Sequence, residues 1–496
     1  MAIIRMVPGQ GTRLFSILSG FRIPLVFLFL VIPVIFGFSQ EERVWSLEEC
    51  IIYAQDNNID IKKQFLYIKE GEETVLQSKL NLLPSLNGYA FHGYNWGKRV
   101  DPFTNEFATD RVRSNNFYAS ADLTLFNGLQ KLNTMKQNQL NLLATRYDVD
   151  AFMDDIAVGV ATFYLQILYY LEYSETLENQ VEVSSQQVDR TRKLVEAGTL
   201  AKGDLLTIEA QLAAEEYSLV EARNNLNLAY LDLIQLLELP TAEGFRIEEP
   251  ELGLLEDAES LPAVDEIFGM ALENRPEIQS AEIRVESSEK GLDVARGTLY
   301  PRLTFSSSYG TGYSGANKIG QNPVSFIPQI GETASGEPVY SISEITTYES
   351  YNVKEFSEQL DDNLNQSVGF SLNIPIFNGW SARYNIARAK IAMEQADLDL
   401  RLQKNTLYKT IQQAHNDAIA AINQYNAALK KLNATRESFR YAEQKFDVGL
   451  INSVEYNDAK KEFNNAESEL LQAKYDYVFR QKILDFYMGK PLTLNR

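Results

Sequence analysis

An internal duplication constrains the fold of this 496-residue chain more strongly than any other feature. The motif Asn-Leu-Leu-Pro-Ser-Leu at residues 81–86 has a counterpart, Thr-Leu-Tyr-Pro-Arg-Leu, 217 positions later at residues 298–303. The motif Phe-Asn-Gly at residues 126–128 recurs 251 positions later, at residues 377–379. Stretches that keep their spacing form rigid elements, and the place where the offset changes marks a loop of variable length. The chain therefore consists of two copies of one structural unit.

The stretches of constant spacing have the periodicity of long helices. Ten positions follow one another at intervals of three and four residues, and nine are apolar: Leu205, Ile208, Leu212, Glu215, Leu219, Ala222, Leu226, Ala229, Leu233 and Leu236. This spacing predicts a coiled-coil seam. The preceding leg, residues 128–196, has a similar stripe that Ser184 and Thr191 interrupt. Both legs are therefore predicted to pack as one long helical hairpin.

The lengths of the predicted helices agree with this hairpin. The 72 positions from Phe126 to Gly198 would extend about 108 Å as a helix, at about 1.5 Å per residue. Gly198 recurs as Gly449, so the second copy contains an equivalent leg. The remaining helices are predicted at residues 46–83, 204–238, 263–300 and 454–489. Together the helices predict a mainly α fold with pseudo-twofold symmetry.

Residues 1–39 are typical of a secretory signal peptide. Three arginines precede an apolar run at residues 23–36, and small and polar residues follow it. A permanent anchor is the alternative, but the run is short and two prolines interrupt it. The remaining chain is predicted to contain a first repeat at 40–240, an acidic linker at 241–262 and a second repeat at 263–490. No later segment is expected to form a transmembrane helix.

Four short segments between the helices switch from helical to strand periodicity. Apolar and polar residues alternate at residues 117–125, 302–309 and 367–376, and less regularly at 85–96. Strands of about ten residues with one apolar and one polar face are typical of transmembrane barrels. A soluble antiparallel sheet that covers a core is the alternative. Residues 310–365 are predicted as a polar external loop that caps the barrel.

Four strands are too few to close a barrel in a membrane, where the minimum is about eight and open edges are not tolerated. The protomer must therefore oligomerise if the strands span a membrane. Three copies would supply about twelve strands, which enclose a channel rather than a packed interior. The sequence thus predicts four transmembrane strands per protomer and a homotrimer embedded in lipid.

Several function classes are excluded by composition. The formal net charge is −21, so nucleic acid is a poor candidate partner. Cys50 is the single cysteine, and His92 and His415 are the two histidines, which leaves nothing for a His/Cys metal site or a disulfide framework. No nucleophile with a base and no cofactor motif stands out, apart from a GxGxxG match at 310–315 that no predicted helix follows. We therefore expect no enzymatic activity and no cofactor.

The chain resembles the TolC family of outer-membrane efflux and secretion ducts. The resemblance rests on the duplication, the prolines at 84 and 301, the Phe-Asn-Gly motifs and the two turns at Gly198 and Gly449. The resemblance extends over essentially the whole mature chain. The segment at residues 95–105, Asn-Trp-Gly-Lys-Arg-Val-Asp-Pro-Phe-Thr-Asn, further resembles an external loop of Bacteroidetes members. The resemblance implies a passive trimeric duct in the outer membrane whose helical part lies in the periplasm. It also implies a periplasmic adaptor and an inner-membrane pump of the RND or ABC type as partners.

The resemblance assigns roles to the two turns of the helical hairpins. It implies that the turns dock the adaptor through Ala197, Gly198, Thr199, Leu200, Val448, Gly449, Leu450 and Ile451. It places an acidic ring at the periplasmic constriction, formed by Glu455 and Asp458, with Asp204 as a further gate residue. Family members close this gate with a tyrosine and an arginine, where this chain has Phe446 and Ile451.

Two alternative functions remain open from the sequence alone. An exported coiled-coil scaffold with a small soluble sheet would explain the helices without a membrane role. A surface protein or adhesin would explain the long segment at residues 310–365. The sequence does not identify the exported substrate.

Overall fold

The computed structural model describes residues 44–109, 111–241, 244–250 and 261–494. The predicted signal peptide and most of the acidic linker lie outside these residues. Within them the chain forms nine helices: α1 (Leu47–Asn57), α2 (Ile59–Leu80), α3 (Gln130–Glu196), α4 (Lys202–Leu237), α5 (Val264–Asn274), α6 (Pro276–Gly297), α7 (Phe356–Asp362), α8 (Ser381–Asp447) and α9 (Ser453–Tyr487). The equivalent helices α3 and α8 each have 67 residues. Each therefore extends about 100 Å, close to the predicted length.

Two of the predicted helices are broken at equivalent positions of the duplication. The helix predicted at 46–83 divides into α1 and α2 at Asn58, whose side chain accepts hydrogen bonds from the backbone of Asp60 and Ile61 at 2.9 and 3.2 Å. The helix predicted at 263–300 divides into α5 and α6 at Arg275. Pro276 forces extended backbone on the residue before it and suits the first position of a helix. Local capping and proline chemistry therefore override the helical periodicity at both breaks.

Twelve strands lie between and beside the helices of the described residues. They are β1 (Val44–Trp45), β2 (Ser85–Asn95), β3 (Arg99–Val100), β4 (Phe107–Ala108), β5 (Val112–Asn127), β6 (Arg246–Ile247), β7 (Arg302–Ser314), β8 (Lys318–Phe326), β9 (Gln329–Glu332), β10 (Pro338–Tyr340), β11 (Ile345–Val353) and β12 (Asn365–Asn373). The four long predicted strands form one antiparallel sheet in the order β12-β7-β5-β2. The prediction of four strands from two repeats is thus confirmed.

The sheet differs from the predicted strands at two places. The strand predicted to end at Ile376 ends at Asn373, because Pro375 has no N–H to donate to a neighbouring strand. The segment predicted as a polar loop, 310–365, is largely structured instead. Gly310 and Gly312 lie within β7, and β8 pairs with β11 over most of its length. This hairpin has no alternating pattern because both of its faces are exposed.

The sheet has one apolar face, which is most regular across β12, β7 and β5. The register places Leu372 beside Leu303 and Phe370 beside Phe305. These apolar side chains are not covered by a core, since Val368 and Phe370 are each 69% exposed. A soluble sheet half-buried on a core, the alternative drawn from sequence, is therefore wrong. The apolar face is available to lipid.

The principal core lies at the waist of the helical part, where α1, α3, α4 and α9 meet. Tyr164 is 1% exposed there, and its hydroxyl donates to the carbonyl oxygens of Trp45 and Glu248 at 3.2 and 2.8 Å. A second core forms where α5 and α6 pack against α8 and α9, around Ile267, Ile278, Ile411 and Leu484.

Among the described residues, α3 is long and apolar enough by composition to cross a membrane. This corrects the expectation that no segment after the signal peptide approaches such a helix. The apolar residues of α3 have a different explanation, because Val160, Tyr164 and Leu168 follow one helical face into the principal core. Core packing therefore accounts for this apolar stretch.

The turn from β5 into α3 requires glycine at position 128. Gly128 has φ +66°, which is in the left-handed region. A Cβ atom there would lie 2.3 Å from the carbonyl oxygen of Gly297. A Cβ atom on Gly297 would in turn lie 2.7 Å from the carbonyl oxygen of Gly128. The two glycines therefore allow the strand-to-helix turn to touch the end of α6.

We expect Gly128→Ala to lower the free energy of unfolding by about 2–4 kcal/mol, from left-handed backbone strain and forced displacement of α6. Gly269→Ala is the matched control. Gly269 lies inside α5 with no atom within 4 Å of an added Cβ, so this change should be neutral or slightly stabilising. Urea unfolding followed by far-ultraviolet circular dichroism measures both. Equal stability of the two variants would contradict the close-contact argument.

Candidate functional site at the turns of the helical hairpins

Two turns end the long helices: residues 197–201 join α3 to α4, and residues 448–452 join α8 to α9. Gly198 and Gly449 have φ +75° and +77°, so each takes the left-handed conformation that ends a helix. The following backbone N–H of Thr199 donates to the Leu194 carbonyl at 3.0 Å, and that of Leu450 donates to the Lys445 carbonyl at 2.8 Å. The two turns thus share one hydrogen-bonded geometry.

The predicted turn residues form an exposed, largely apolar surface. Val448 is 69% exposed and Leu450 is 74% exposed. Ala197, Gly198, Thr199 and Gly449 are also exposed, while Leu200 and Ile451 are half-buried. Large apolar side chains at this level of exposure have no packing role within the protomer. They are available to a partner.

The return helices begin with polar caps. The Asn452 side chain accepts hydrogen bonds from the backbone N–H groups of Val454 and Glu455, both at 3.0 Å. Asp204 accepts from the backbone N–H of Ala201 at 3.2 Å. Acidic residues in the first turn of a helix also interact favourably with its dipole. Asp204 and Glu455 therefore have a structural role at the starts of α4 and α9.

Asp204 also joins the two helical hairpins. The buried Ser453 hydroxyl donates to Asp204 Oδ1 at 2.5 Å, which links the start of α9 to the start of α4. Ser453 has no distinguishing signal in the sequence, because a serine at the start of a helix resembles an ordinary cap. A second link is the ion pair between Arg190 on α3 and Asp447 on α8, at 2.9 Å. Both links cross from the first repeat to the second.

The structure leaves the other two predicted gate residues on the surface. Glu455 and Asp458 are exposed one turn apart on α9. Glu455 accepts from the Asn452 side chain at 3.3 Å. Asp458 has no hydrogen bond or ion pair to another described residue. Within one protomer neither carboxylate contacts Asp204, so the structure does not bring the three predicted residues together.

The positions that depart from the family pattern make apolar contacts. The ring of Phe446 stacks on that of Tyr456, with centroids 4.8 Å apart. Phe439 lies against the same tyrosine, with centroids 5.6 Å apart. Ile451 is half-buried in the turn. The second helical hairpin is therefore closed near its turn by an aromatic cluster.

A buried polar cluster lies deeper along the hairpins, about four helical turns from the turn that joins α3 to α4. Glu215 of α4 and Lys460 of α9 are 5% and 4% exposed, and Lys460 Nζ lies 3.2 Å from Glu215 Oε1. Ser184 of α3 hydrogen-bonds both side chains. Gln211 and Asn464 also donate to Glu215 Oε1, at 2.9 and 3.5 Å. Ser184 and Glu215, two of the three polar residues that interrupt the predicted seams, therefore meet, and Lys460 completes the cluster.

The environment of Lys460 shifts its pKa. Burial lowers the pKa of the Lys460 ammonium below its usual value, and the neighbouring Glu215 carboxylate opposes this shift. Burying two charges carries a large desolvation cost, which close pairing and hydrogen bonds offset. The cluster joins α3 and α4 to α9 through polar contacts in an otherwise apolar seam.

Other titratable groups of the described residues have structural roles. Among the described residues, no cluster of three or more His, Cys, Asp and Glu side chains is arranged to hold a metal ion. Cys50 is buried in the principal core, and burial raises the pKa of its thiol to about 12. Asp154 forms an ion pair with the buried Arg275 at 3.1 Å. Asp362 pairs with Lys354.

The repeat pattern, the helical hairpins and the sheet have known counterparts. The profile of the family "Outer membrane efflux protein" matches residues 51–238 and 267–490, which is most of the chain. The chain belongs to the outer membrane efflux protein family. The outer membrane protein TolC of Escherichia coli (strain K12) is 23% identical to this efflux protein over 473 residues, or 92% of this chain and 84% of TolC. The proteases secretion protein PrtF of Dickeya chrysanthemi is 22% identical over 422 residues, or 82% and 80%.

Solved structures confirm the fold of this efflux protein. A CusC crystal structure aligns with a TM-score of 0.70 at 17% identity, covering 90% of this chain and 92% of CusC. VceC from Vibrio cholerae aligns with a TM-score of 0.69 at 14% identity, covering 90% and 96%. The predicted mainly α fold with a small β part is therefore confirmed. The protein is an outer-membrane channel component of an efflux or secretion system, as the sequence predicted.

Proposed function

We propose that this efflux protein forms a homotrimeric passive duct from the periplasm to the cell exterior. One observation carries the proposal: the four-stranded antiparallel sheet has an uncovered apolar face, and no described residue pairs with the outer edge of β2 or of β12. Open edges are not tolerated in lipid. Three copies joined by β12 of one protomer and β2 of the next would close a twelve-stranded barrel. The helices then continue this barrel as a tube.

The duct itself catalyses no reaction, and an inner-membrane pump of the RND or ABC type supplies the energy. A periplasmic adaptor joins pump and duct. The names of the relatives support such systems but differ in cargo: one is a proteases secretion protein of Dickeya chrysanthemi, and another is a cation efflux system protein, CusC, of Escherichia coli O157:H7. The cargo of this protein is therefore set by its pump rather than by the fold of the duct.

The adaptor docks on the two turns. Their shared geometry supports this assignment, because both turns present the same left-handed glycine and an exposed surface to one partner. The docking residues are Ala197, Gly198, Thr199, Leu200, Val448, Gly449, Leu450 and Ile451. Burial of the exposed Val448 and Leu450 side chains against the adaptor supplies binding free energy at this surface.

The periplasmic gate lies just inside the turns. Glu455 and Asp458 from three protomers would place six carboxylates near the threefold axis, where they favour cations and allow polyvalent cations to block the pore. Asp204 holds the gate shut through Ser453, together with the ion pair of Arg190 and Asp447. These links replace the closing bonds that the family's tyrosine and arginine supply.

We expect Glu455→Gln/Asp458→Asn to raise the concentration of a trivalent cation that blocks the channel about tenfold or more. A tenfold change corresponds to a loss of about 1.4 kcal/mol of binding free energy for the blocking cation. The physical reason is the loss of six negative charges at the constriction. Conductance of the purified protein in planar lipid bilayers measures the blocking concentration. Glu394→Gln, an exposed carboxylate far up α8, is the control and should leave block unchanged. Equal block in all three proteins would rule out the acidic ring.

Electron microscopy of the detergent-purified protein tests the proposed function as a whole. Without imposed symmetry, the images should show a threefold hollow cylinder with a helical section of about 100 Å, the length of α3. A thin rod or a compact monomer would reject the barrel, the pore and the acidic ring together.

A further inference from the structure

A long hairpin projects from the external end of the sheet. It comprises residues 318–353, and we call it the external hairpin. Its strands β8 and β11 pair from Lys318 beside Val353 to Phe326 beside Ile345. The backbone N–H of Lys354 donates to the Asn317 carbonyl at 2.9 Å and closes its base. The hairpin is thus a separate two-stranded ribbon, attached to the sheet at its base.

Both faces of the external hairpin are exposed in the protomer. Twelve large apolar residues are exposed along it: Ile319, Val324, Phe326, Ile327, Ile330, Val339, Tyr340, Ile342, Ile345, Tyr348, Tyr351 and Val353. An isolated two-stranded hairpin is at best marginally stable in water. A contiguous apolar surface on a protein usually marks an interaction site. The hairpin therefore requires a partner that covers it.

The position of the hairpin in the sheet identifies a neighbour. The chain enters the hairpin from β7 and returns through α7 to the edge strand β12. The base is fixed, because the Gln359 side chain accepts from the Ser314 backbone N–H at 2.9 Å. In the trimer of the proposed function, β12 would lie beside β2 of the next protomer. The connection that follows β2 in that protomer, residues 96–109 and 111, would then lie across the seam; we call it the external loop.

The external loop is a preformed surface. Asp101 is fully buried and accepts hydrogen bonds from the backbone N–H groups of Phe103 and Thr104, both at 3.1 Å. The Ser314 hydroxyl also donates to Asp101, at 2.5 Å, which anchors the loop on β7. Outside this anchor the loop exposes apolar residues, with Phe107 70% exposed and Trp96 71% exposed.

The charges of the two surfaces are complementary. The external hairpin carries four glutamates and one lysine: Glu332, Glu337, Glu344, Glu349 and Lys318. The external loop exposes Lys98 and Arg111, which form no ion pair with another described residue, against one exposed carboxylate, Glu106, so its described exposed charges are net positive. Lys98 lies 5.0 Å from the centre of the Phe107 ring, and Arg111 lies 4.8 Å from that of Tyr94. Cations held over exposed rings suit a partner that is both acidic and aromatic.

We propose that the external hairpin of one protomer docks on the external loop of the neighbouring protomer, a second copy of this chain. Three such contacts form a collar that locks the trimer outside the membrane. The contact is continuous with the β12–β2 seam and joins an acidic apolar surface to a basic apolar one. The proposal rests on the trimer of the proposed function and adds a lock that strand pairing alone does not provide.

Excision of the hairpin tests the lock. Asn317 and Lys354 are already hydrogen-bonded, so two glycines can replace residues 318–353 without disturbing the sheet. The shortened protein should still form trimers, because β12 and β2 are intact. The temperature at which detergent-solubilised trimers dissociate, read from unboiled SDS gels, should fall by about 5 °C or more. An unchanged temperature overturns the proposal. Failure of the full-length protein to give any trimer rejects the proposed function instead.

A charge swap identifies the partner surface. Glu332→Lys/Glu337→Lys/Glu344→Lys should lower the dissociation temperature, and adding Lys98→Glu/Arg111→Glu should restore at least half of the loss. Restoration requires that the two surfaces meet. The loop and the base of the hairpin of one protomer also line a common cavity, so the covalent dimers of the cross-linking experiment show that the restored contact lies between protomers. Absence of restoration contradicts the assigned surface. Far-ultraviolet circular dichroism of each variant verifies that the helices are intact.

Photo-cross-linking identifies the occupant directly. A benzoylphenylalanine at position 326 should give covalent dimers whose cross-linked peptides contain residues of the external loop. The same label at position 448, at the other end of the molecule, is the control and should give no such peptides. Cross-links from position 326 to lipid or to a different protein overturn the proposal.

Discussion

Replacing Lys460 by methionine is expected to lower the free energy of unfolding by about 3–5 kcal/mol, the typical cost of leaving a buried charge without its partner. Glu215 would stay in the seam between the hairpins at 5% exposure, without the ammonium group that now lies 3.2 Å away. Ser184, Gln211 and Asn464 would still donate to it, but none of them carries a charge. Denaturant unfolding followed by circular dichroism in detergent measures the loss.

Two controls separate the charge effect from lost packing. Glu215→Leu/Lys460→Met removes both charges and should recover most of the stability, because an apolar pair of similar volume can replace a buried ion pair. Lys431→Met removes an exposed ion pair with Glu469 and should leave unfolding nearly unchanged. If the double variant is as unstable as Lys460→Met alone, the buried charge is not the cause. The cluster would then contribute through packing.

Val448→Asp/Leu450→Asp is expected to abolish export, reducing it to the level of a strain that lacks the protein. The two side chains are 69% and 74% exposed, so charges there do not disturb the protomer. They would place carboxylates in the centre of an apolar interface with the adaptor, where an unpaired buried charge is strongly unfavourable. Sensitivity to an exported toxic compound, or the amount of a secreted substrate, measures the effect.

The docking interpretation requires that the channel itself survive these changes. The amount of protein in the outer membrane and the conductance in planar bilayers should match those of the unmodified protein. Val448→Ile/Leu450→Ile keeps the surface apolar and should keep export. Normal export by the aspartate variant would show that the adaptor binds elsewhere.

Much of the architecture could be predicted because it depends on local periodicity. Glu215 and Ser184 were recognised as polar interruptions of apolar stripes, and both lie in the seam that those stripes predicted. The strands were recognised from alternation at residues 117–125 and 367–376, where one face is apolar. The external hairpin was missed for the same reason, since a ribbon exposed on both faces has no such alternation.

The gate was only partly predictable. Asp204 was selected by resemblance, and its position at the start of α4 agrees with a capping role. Its hydrogen bond with Ser453 joins residues 249 positions apart, so no local pattern contains it. Ser453 and Arg190 gave no signal of their own, because a serine at a helix start and an arginine on a helix surface are both common.

The sequence by itself determined the duplication, the lengths of the long helices α3 and α8, the four strands and the family, because each is encoded in spacing along the chain. Only the tertiary structure decided which residues of the two repeats meet. Glu215 and Lys460 are 245 positions apart and contact each other because two hairpins of fixed length lie side by side in one register. Asn58 makes another contact of this kind, since its side chain donates to the Leu236 carbonyl oxygen 178 positions away at 2.9 Å. Contacts between rigid elements depend on their relative placement, which no periodicity within either element specifies.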